Sequence, residues 1–556
     1  MSTDTSYHYD PTRFRDVFER HFSYVGGVQR NNRRFASRPA LHDPATGRRW
    51  TYSELWRDSG KLASGLSAAG VAADNLVVFD LLNGPEFAIL WLAAQRLGAV
   101  AAPINFRLAP GEVAHVLDDS RPHAFIYDLS VADVAADAIT RAVHTPEILA
   151  VVDPDGGRRT APGGSAIPFA DLFTEGDHQV PTPDERSIWE ESTRLYTSGT
   201  TGLPKGVSLN TLVEILSAHD VIMHFPLSPE DRTLNMTPWF HRGGLYSGGP
   251  NPVFYVGAEA VAMRQFDPAI VLDWVQEHQL TFLIGAPTNL ALLSAEQQER
   301  PRDLSSLRGI VTMGAPLDRE ACLRYQRLLT PRIFNGYGTT EAFWNTFLRP
   351  VDLPDQAGSA GRACTDDDVA VVHVYEDHHA EPSDLVAQDG TEIGEVIVRS
   401  VKSGYAYVNQ PGEQEQRFRD GWLYIGDLAT WDENAYVTIV GRKDDMIISG
   451  GENVHPAQVE AVLEEHPGIA DTAVVGVPDE RWGELVVAYV VRSDEHVDAA
   501  ACEAHAHGHP MLADFKRPRA YRFVEQIPRT ATGKKLHYRI REQAREDAAA
   551  GRLERP

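Results

Sequence analysis

The segment Tyr196-Thr-Ser-Gly-Thr-Thr-Gly-Leu-Pro-Lys-Gly206 places five consecutive hydroxyl-bearing or glycine residues just ahead of a lysine: Thr197, Ser198, Gly199, Thr200 and Thr201, then Lys205. Backbone N–H groups and short hydroxyls so concentrated can wrap a polyphosphate, and a lysine ammonium adds a point charge. Lys205 is followed by Gly206 rather than Ser or Thr, so this is not a Walker A loop. By composition alone a flexible surface linker reads the same way. Four further segments put acids and cations beside glycine turns: Asn335-Gly-Tyr-Gly-Thr-Thr-Glu341, Gly421-Trp-Leu-Tyr-Ile-Gly-Asp427, Gly441-Arg-Lys-Asp-Asp445 and Pro528-Arg-Thr-Ala-Thr-Gly-Lys534.

In this order the five segments resemble the signature motifs of the adenylate-forming (ANL) superfamily, which includes acyl- and aryl-CoA synthetases, peptide-synthetase adenylation domains and luciferases. The resemblance spans roughly residues 30 to 540. It implies an α/β fold with a large N-terminal adenylate-forming domain, built of mixed α/β sheets flanked by helices plus a small β unit. A small mobile C-terminal α+β domain follows. The boundary is expected between 1–441, which would bind ATP and acid, and 442–556, which would carry the catalytic lysine and the CoA-binding face.

The implied chemistry brings a carboxylate to the α-phosphate of ATP. Two anions must meet, so cations and fixed dipoles are needed around them. The resemblance assigns catalysis to Lys534, Glu341 and Thr339. Lys534 would bridge the substrate carboxylate and the α-phosphate; Lys535 beside it is a rival in register, and Gly533 favours Lys534. Glu341 would hold Mg²⁺, which needs few carboxylates when substrate oxygens complete its shell. The ATP set is Thr197, Ser198, Gly199, Thr200, Thr201, Lys205, Gly314, Ala315, Pro316, Asn335, Gly336, Tyr337, Gly338, Thr340, Asp427, Ile439 and Arg442. Within it Tyr337 stacks on adenine, Gly314–Pro316 line the base pocket, and Asp427 accepts from the ribose hydroxyls with help from Arg442.

Family members rotate the small domain before thioester formation, and Asp444 matches the hinge. Gly450 and Gly451, in Met446-Ile-Ile-Ser-Gly-Gly-Glu-Asn-Val-His-Pro456, would let the pantetheine arm pass close to the backbone. Asp479-Glu-Arg-Trp-Gly483 and Ala513-Asp-Phe-Lys-Arg-Pro518 resemble the CoA-using branch, nearest the 4-chlorobenzoate–CoA ligase group. Trp482 and Phe515 would flank the CoA adenine; Arg107, Arg517 and Arg519 would meet its phosphates. Glu341 departs from that group, which has a threonine there, and follows the general superfamily.

The acid pocket is assigned to His241, Arg242, Gly243, Gly285, Phe343 and Trp344. His241 matches an aromatic gate. Arg242 departs from the apolar residue common at its position: it reads a polar group on the acid or points to solvent. Gly243, Gly244, Gly248 and Gly249 leave side-chain volume out, making room for an acid larger than benzoate, or they serve backbone turns. The expectation is an acid–CoA ligase that takes an aromatic, even bicyclic, acid and forms acyl-AMP and then acyl-CoA. A medium-chain acyl-CoA synthetase and a stand-alone enzyme loading a carrier protein are the alternatives. His505, His507 and His509 alternate as in metal tracts, although solvated loop histidines are commoner.

The elements that must hold these residues are legible. An apolar run at Leu76–Leu82 ends at Asn83-Gly84, Pro85 opens a helical stretch to Leu97, and Gly98 stops it. The same grammar recurs at Leu280–Ile284, Gly309–Met313 and Arg332–Phe334, each before a Gly-rich turn, which predicts largely parallel strands with ligands at their carboxyl ends. Shorter strand pieces follow at Glu395–Arg399, Trp422–Ile425 and Tyr436–Val440, and the tail from Glu542 reads as a frayed helix. The 556 residues exceed one domain, and 43% apolar content supplies a core. A net charge of −26 argues against nucleic acid. Three scattered cysteines fit a reducing cytosol. No secretory leader or membrane span is read, so the expected setting is cytoplasmic; a homodimer is left open.

Overall fold

The computed structural model describes residues 11–155, 157, 159, 166–174, 187–198, 203–375, 378–404, 406–443, 445–528 and 535–556. Four sheets organise them. The first holds a parallel run of Pro39–Asp43, Glu259–Val261, Arg232–Asn235, Phe282–Gly285, Gly309–Met313 and Ile333–Thr339, closed at one side by antiparallel Phe343–Leu348. The second is parallel from Ile167–Pro168 through Ile148–Val152, Ala124–Asp128, Leu76–Asp80 and Val100–Pro103, and ends in the antiparallel pair Glu191–Ser198 and Pro204–Asn210. Inner strands such as Ile148–Val152 and Gly309–Met313 read as continuous apolar runs because both faces are covered.

The helix Pro85–Leu97 shows why. Proline starts it, Gly98 stops it at φ +78°, and residues all round it are buried. A helix apolar on every side must lie inside the core. It packs against strands of both sheets and belongs to one apolar cluster drawn from both.

The third sheet is antiparallel, from Asp367–Val372 to Val437–Arg442, and the fourth begins at Ile447–Ser449. The fourth sheet pairs Glu452–Val454, Ile469–Asp479, Gly483–Arg492 and Ala520–Phe523, with helices Pro456–Glu464, Ala499–Ala506 and His537–Ala549 beside it. The molecule is thus a mixed α/β body with a smaller C-terminal α+β unit. Two expectations need correction. Trp422–Trp431 is much longer than the piece read at Trp422–Ile425. The tail helix starts at His537 and is anchored, not frayed: Ile540 and Ala544 are buried, and Asp547 accepts from the Tyr489 hydroxyl at 2.6 Å.

One buried charge cluster ties the third sheet to the large body. Lys402 Nζ lies 3.1 Å from Asp220 and 2.9 Å from Asp367, with His224 and Cys364 alongside. Asp220, His224 and Cys364 stand within metal-ligand reach of one another, and the Lys402 ammonium supplies the cation there. No helix among the described residues is long and apolar enough to cross a membrane.

Candidate active site

A cavity of about 1270 Å³ lies where the carboxyl ends of the first two sheets face the third and fourth. It is lined by turns that leave those strands: Asn83, Met236–Pro238, Met263–Phe266, Ala286 and Gly314–Pro316. Such a crevice is where α/β sheets bind ligands. Gly314 adopts φ +83°, which lets the chain turn sharply after Met313.

On one side Tyr337 donates to Asp427 Oδ2 at 2.6 Å and Arg442 reaches Asp427 Oδ1 at 2.6 Å. Burial and the Asp427 carboxylate push the Tyr337 phenol well up. Ile439, Asn335, Gly336, Gly338 and Thr340 line the same region. Eight of the sequence-derived nucleotide positions are thereby gathered from segments far apart in the chain.

Nearby, Lys205 is salt-bridged to Glu413 and its Nζ sits 4.1 Å from the Tyr407 ring centre. The Tyr407 hydroxyl donates to Glu341 Oε1 at 2.6 Å. Burial alone would raise the Glu341 carboxyl, yet the Lys205 ammonium and the Tyr407 hydroxyl hold it below the usual range. An ionised, partly exposed carboxylate beside a cation fits a divalent ion that also touches phosphate oxygens. Thr339 lines the cavity and its Oγ1 accepts from Ala342 N. Thr197 lines it too; the side chain of Ser198, and Gly199, Thr200 and Thr201, lie outside the described residues, as do Asp444 and Lys534. Lys535 is described: it pairs with Glu460 at 2.8 Å and Glu464 at 2.9 Å and does not line the cavity.

The proposed acid end departs from expectation twice. Arg242 is 2% exposed. Its NH1 donates to Thr340 O at 2.6 Å and its NH2 to Lys402 O at 2.6 Å and to Ser217 Oγ at 3.3 Å. It therefore neither faces solvent nor offers these donors to an acid. The glycines leave little room either. A Cβ on Gly243 would meet Met313 Sδ at 3.0 Å, one on Gly244 the Pro238 carbonyl at 1.8 Å, one on Gly248 the Ile284 side chain at 2.7 Å, and one on Gly249 the Gly244 carbonyl at 2.0 Å. Close packing, not pocket volume, requires glycine at 244, 248 and 249, and at Gly243 a flexible thioether fills the space. Gly285 is similarly closed by Met236. Met236, Met263, Met313 and Met446, four of the chain's seven methionines, line the cavity. Phe343 and Trp344 stack at 4.8 Å and also line it, while Phe347 packs into the core against Phe334.

At the opposite side the hairpin of Ile447–Ser449 and Glu452–Val454 brings Gly450 and Gly451, at φ +60° and +80°, to the cavity wall. Glu452 gathers His241 at 3.2 Å, Arg107 at 2.9 Å and Asn105 at 3.1 Å. Burial would raise its carboxyl; His241 and Arg107 hold it low. Phe515 also lines the cavity, and the Arg519 guanidinium lies 5.4 Å from the Trp482 ring centre. Arg517 corrects its expectation: it is 8% exposed and paired with Glu503 and Asp514 inside the small unit. His505, His509 and His507 each have a protein partner, Val462 O, Glu465 and Asp514 respectively. Sequence reasoning missed Tyr407, Glu413, Asn105 and the methionines, which carry no motif signal; Glu452 stood within the quoted glycine segment without a role.

The chain matches the family model of AMP-binding enzymes over residues 28–406 and that of the AMP-binding enzyme C-terminal domain over 458–534. It is 34% identical to an indoleacetate–CoA ligase of Aromatoleum aromaticum over 487 residues, covering 87% of this chain and 91% of that protein. It is 33% identical to the long-chain-fatty-acid–CoA ligase FadD13 of Mycobacterium tuberculosis over 508 residues, 91% of this chain and 95% of that one. The amide bond synthetase McbA of Marinactinospora thermotolerans superposes with a TM-score of 0.81 at 27% identity, covering 94% of this chain and 99% of the other. With both domain models matched in order around one cavity, the chain belongs to the adenylate-forming AMP-binding enzyme family and is an AMP-forming acid–thiol ligase of the acyl/aryl-CoA synthetase type.

Proposed function

We propose that this ligase activates an aromatic carboxylic acid with ATP and passes the acyl group to coenzyme A. A carboxylate oxygen attacks the α-phosphorus, the bond to the β-phosphate oxygen breaks, and pyrophosphate leaves. The CoA sulfur then attacks the acyl carbon, AMP departs, and the thiol proton passes to solvent. Asp427, Arg442 and Tyr337 bind the nucleoside; Lys205, Thr197 and Thr339 orient phosphates. Glu341, assisted by Tyr407, is the residue that would hold Mg²⁺, which supplies charge neutralisation when bound. Lys534 stabilises the charge where the two anions meet. The division falls at 441/442, the small domain turns about Asp444 between steps, and the reaction is cytoplasmic.

The observation that carries the CoA reading is the glycine hairpin at 450–451 facing the same cavity as Asp427, Glu341 and Lys205. The aromatic reading is supported by the methionine wall. A thioether is polarisable and flexible, and makes favourable sulfur contacts with ring edges worth ~0.3–1.5 kcal/mol each. The likeness to McbA favours amide formation as the second reading, with an amine in place of the thiol. The test is pyrophosphate release with indole-3-acetate, ferulate, 4-chlorobenzoate, octanoate and palmitate, with and without CoA, and mass analysis of the product. Octanoate or palmitate outpacing every aryl acid would end the aromatic reading; product formed with amines and not with CoA would end the ligase reading.

A further inference from the structure

We propose that Glu112 and Lys516 form a latch that positions the small unit for thioester formation. The inference rests on the ligase reading above, because it concerns which of the two steps the docked arrangement serves.

Glu112 lies in the first turn of the helix Pro110–Ser120, and its Oε2 accepts from Ala109 N at 2.9 Å, closing that turn. Its other oxygen reaches across to the small unit. Lys516 Nζ stands 2.5 Å from Glu112 Oε1 and 2.8 Å from Gln458 Oε1, and Gln458 Nε2 donates to Glu112 Oε1 at 3.1 Å. Glu112 is 0% and Lys516 2% exposed, although their positions are 404 residues apart. The seat beside them is equally close. Gly111 N donates to Pro510 O at 2.7 Å, and a Cβ at Gly111 would stand 2.3 Å from Met511 Sδ. None of these residues has been given a part in binding or chemistry.

The arrangement presents the 450–451 hairpin to the cavity, while Lys535, next to Lys534 in the chain, is held by Glu460 and Glu464 outside it. The turn of the small unit between the two steps, part of the reading above, separates Lys516 from Glu112 and returns both ions to water. A desolvated pair of this kind gains little over neutral groups of similar shape, but removing one partner strands the other charge. The latch therefore has a double-mutant signature. Glu112→Gln or Lys516→Met alone disfavours docking; the two together restore it.

The test uses the full chain with nitroxides on Val143→Cys and Glu495→Cys, exposed sites on the large and small units; the three native cysteines are buried. Pulsed dipolar spectroscopy should show one dominant distance in the parent, a broadened distribution in each single variant, and recovery in Glu112→Gln/Lys516→Met. In parallel, with the acid that releases pyrophosphate fastest, each single variant should slow acyl-AMP conversion to thioester about tenfold or more while acyl-AMP formation holds, and the double variant should recover. Single variants with the parent's distances and thioester rate overturn the latch. So does equal loss of both half-reactions, or a double variant worse than either single. If no acid releases pyrophosphate, the ligase reading fails, and the distance arm still decides whether the pair holds the units together.

Discussion

His241 Nε2 lies 3.2 Å from Glu452 Oε2, across 211 positions of sequence, and the same carboxylate holds Arg107. The His241 ring at the cavity wall is thus anchored by the hairpin that carries Gly450 and Gly451. Docking of the small unit and orientation of His241 are one event in this geometry.

Glu452→Gln should slow thioester formation by roughly ten- to a hundredfold, the worth of a charge-assisted hydrogen bond of ~1.5–3 kcal/mol, with adenylation spared. A carboxyl held low stabilises docking at pH values above the ordinary glutamate range, and that contribution is lost as pH falls through the lowered value. The pH profile of the thioester step in the parent should therefore carry an acid limb that Glu452→Gln lacks. Single-turnover rates between pH 4 and 8 check this; identical profiles would remove Glu452 from the step.

Arg242 pins the Thr340 carbonyl next to Glu341, and Phe343 in the same turn adopts φ +62°. Arg242→Met strands the carbonyls of Thr340 and Lys402, at about 1–3 kcal/mol for each buried group left unpaired. The expected result is a lower Tm and a raised Mg²⁺ requirement for pyrophosphate release, with the KM for the acid little changed. A selective rise in that KM would return Arg242 to substrate recognition.

Lys402→Met should cost about 3–5 kcal/mol of stability by leaving Asp220 and Asp367 buried without their cation. Burial already pushes the Asp367 carboxyl up, against the pull of Lys402. Without the ammonium the Asp367 carboxyl is pushed up further, so the deficit should shrink as pH falls. Urea unfolding at pH 5 and pH 8 measures it; a deficit that widens at pH 5 contradicts the assignment.

Two neighbouring glycines should respond differently to one methyl group. Gly244→Ala drives a Cβ to 1.8 Å from the Pro238 backbone and should destabilise strongly. Gly243→Ala meets only the thioether of Met313 at 3.0 Å, which can yield into the cavity. That variant should fold and lose bicyclic acids before benzoates in the pyrophosphate assay. Equal loss of every acid would mean that Met313 does not border the acid.

Much of the side proposed for the nucleotide was legible in the chain, because the residues assigned to phosphate, ribose and base come from short segments whose residue types and spacing carry the chemistry locally. Tyr337, Asp427 and Arg442, from three of those segments, meet at one side of the cavity. Strand–turn–helix grammar likewise marked the helix Pro85–Leu97 and the turn at Gly314, since proline, glycine and apolar period act over a few residues. The acid end was different. Whether Arg242 faces an acid, water or two carbonyls depends on neighbours 98 and 160 positions away, and whether Gly244 leaves space or is filled by Pro238 depends on how the intervening turn folds back. The same holds for Glu452 with Arg107 and for Lys516 with Glu112. Sequence alone determined which groups could do chemistry and which family's reaction they serve. Only the tertiary structure decided where each side chain points, because burial and hydrogen-bond satisfaction are settled by long-range packing and leave no periodic trace in the sequence.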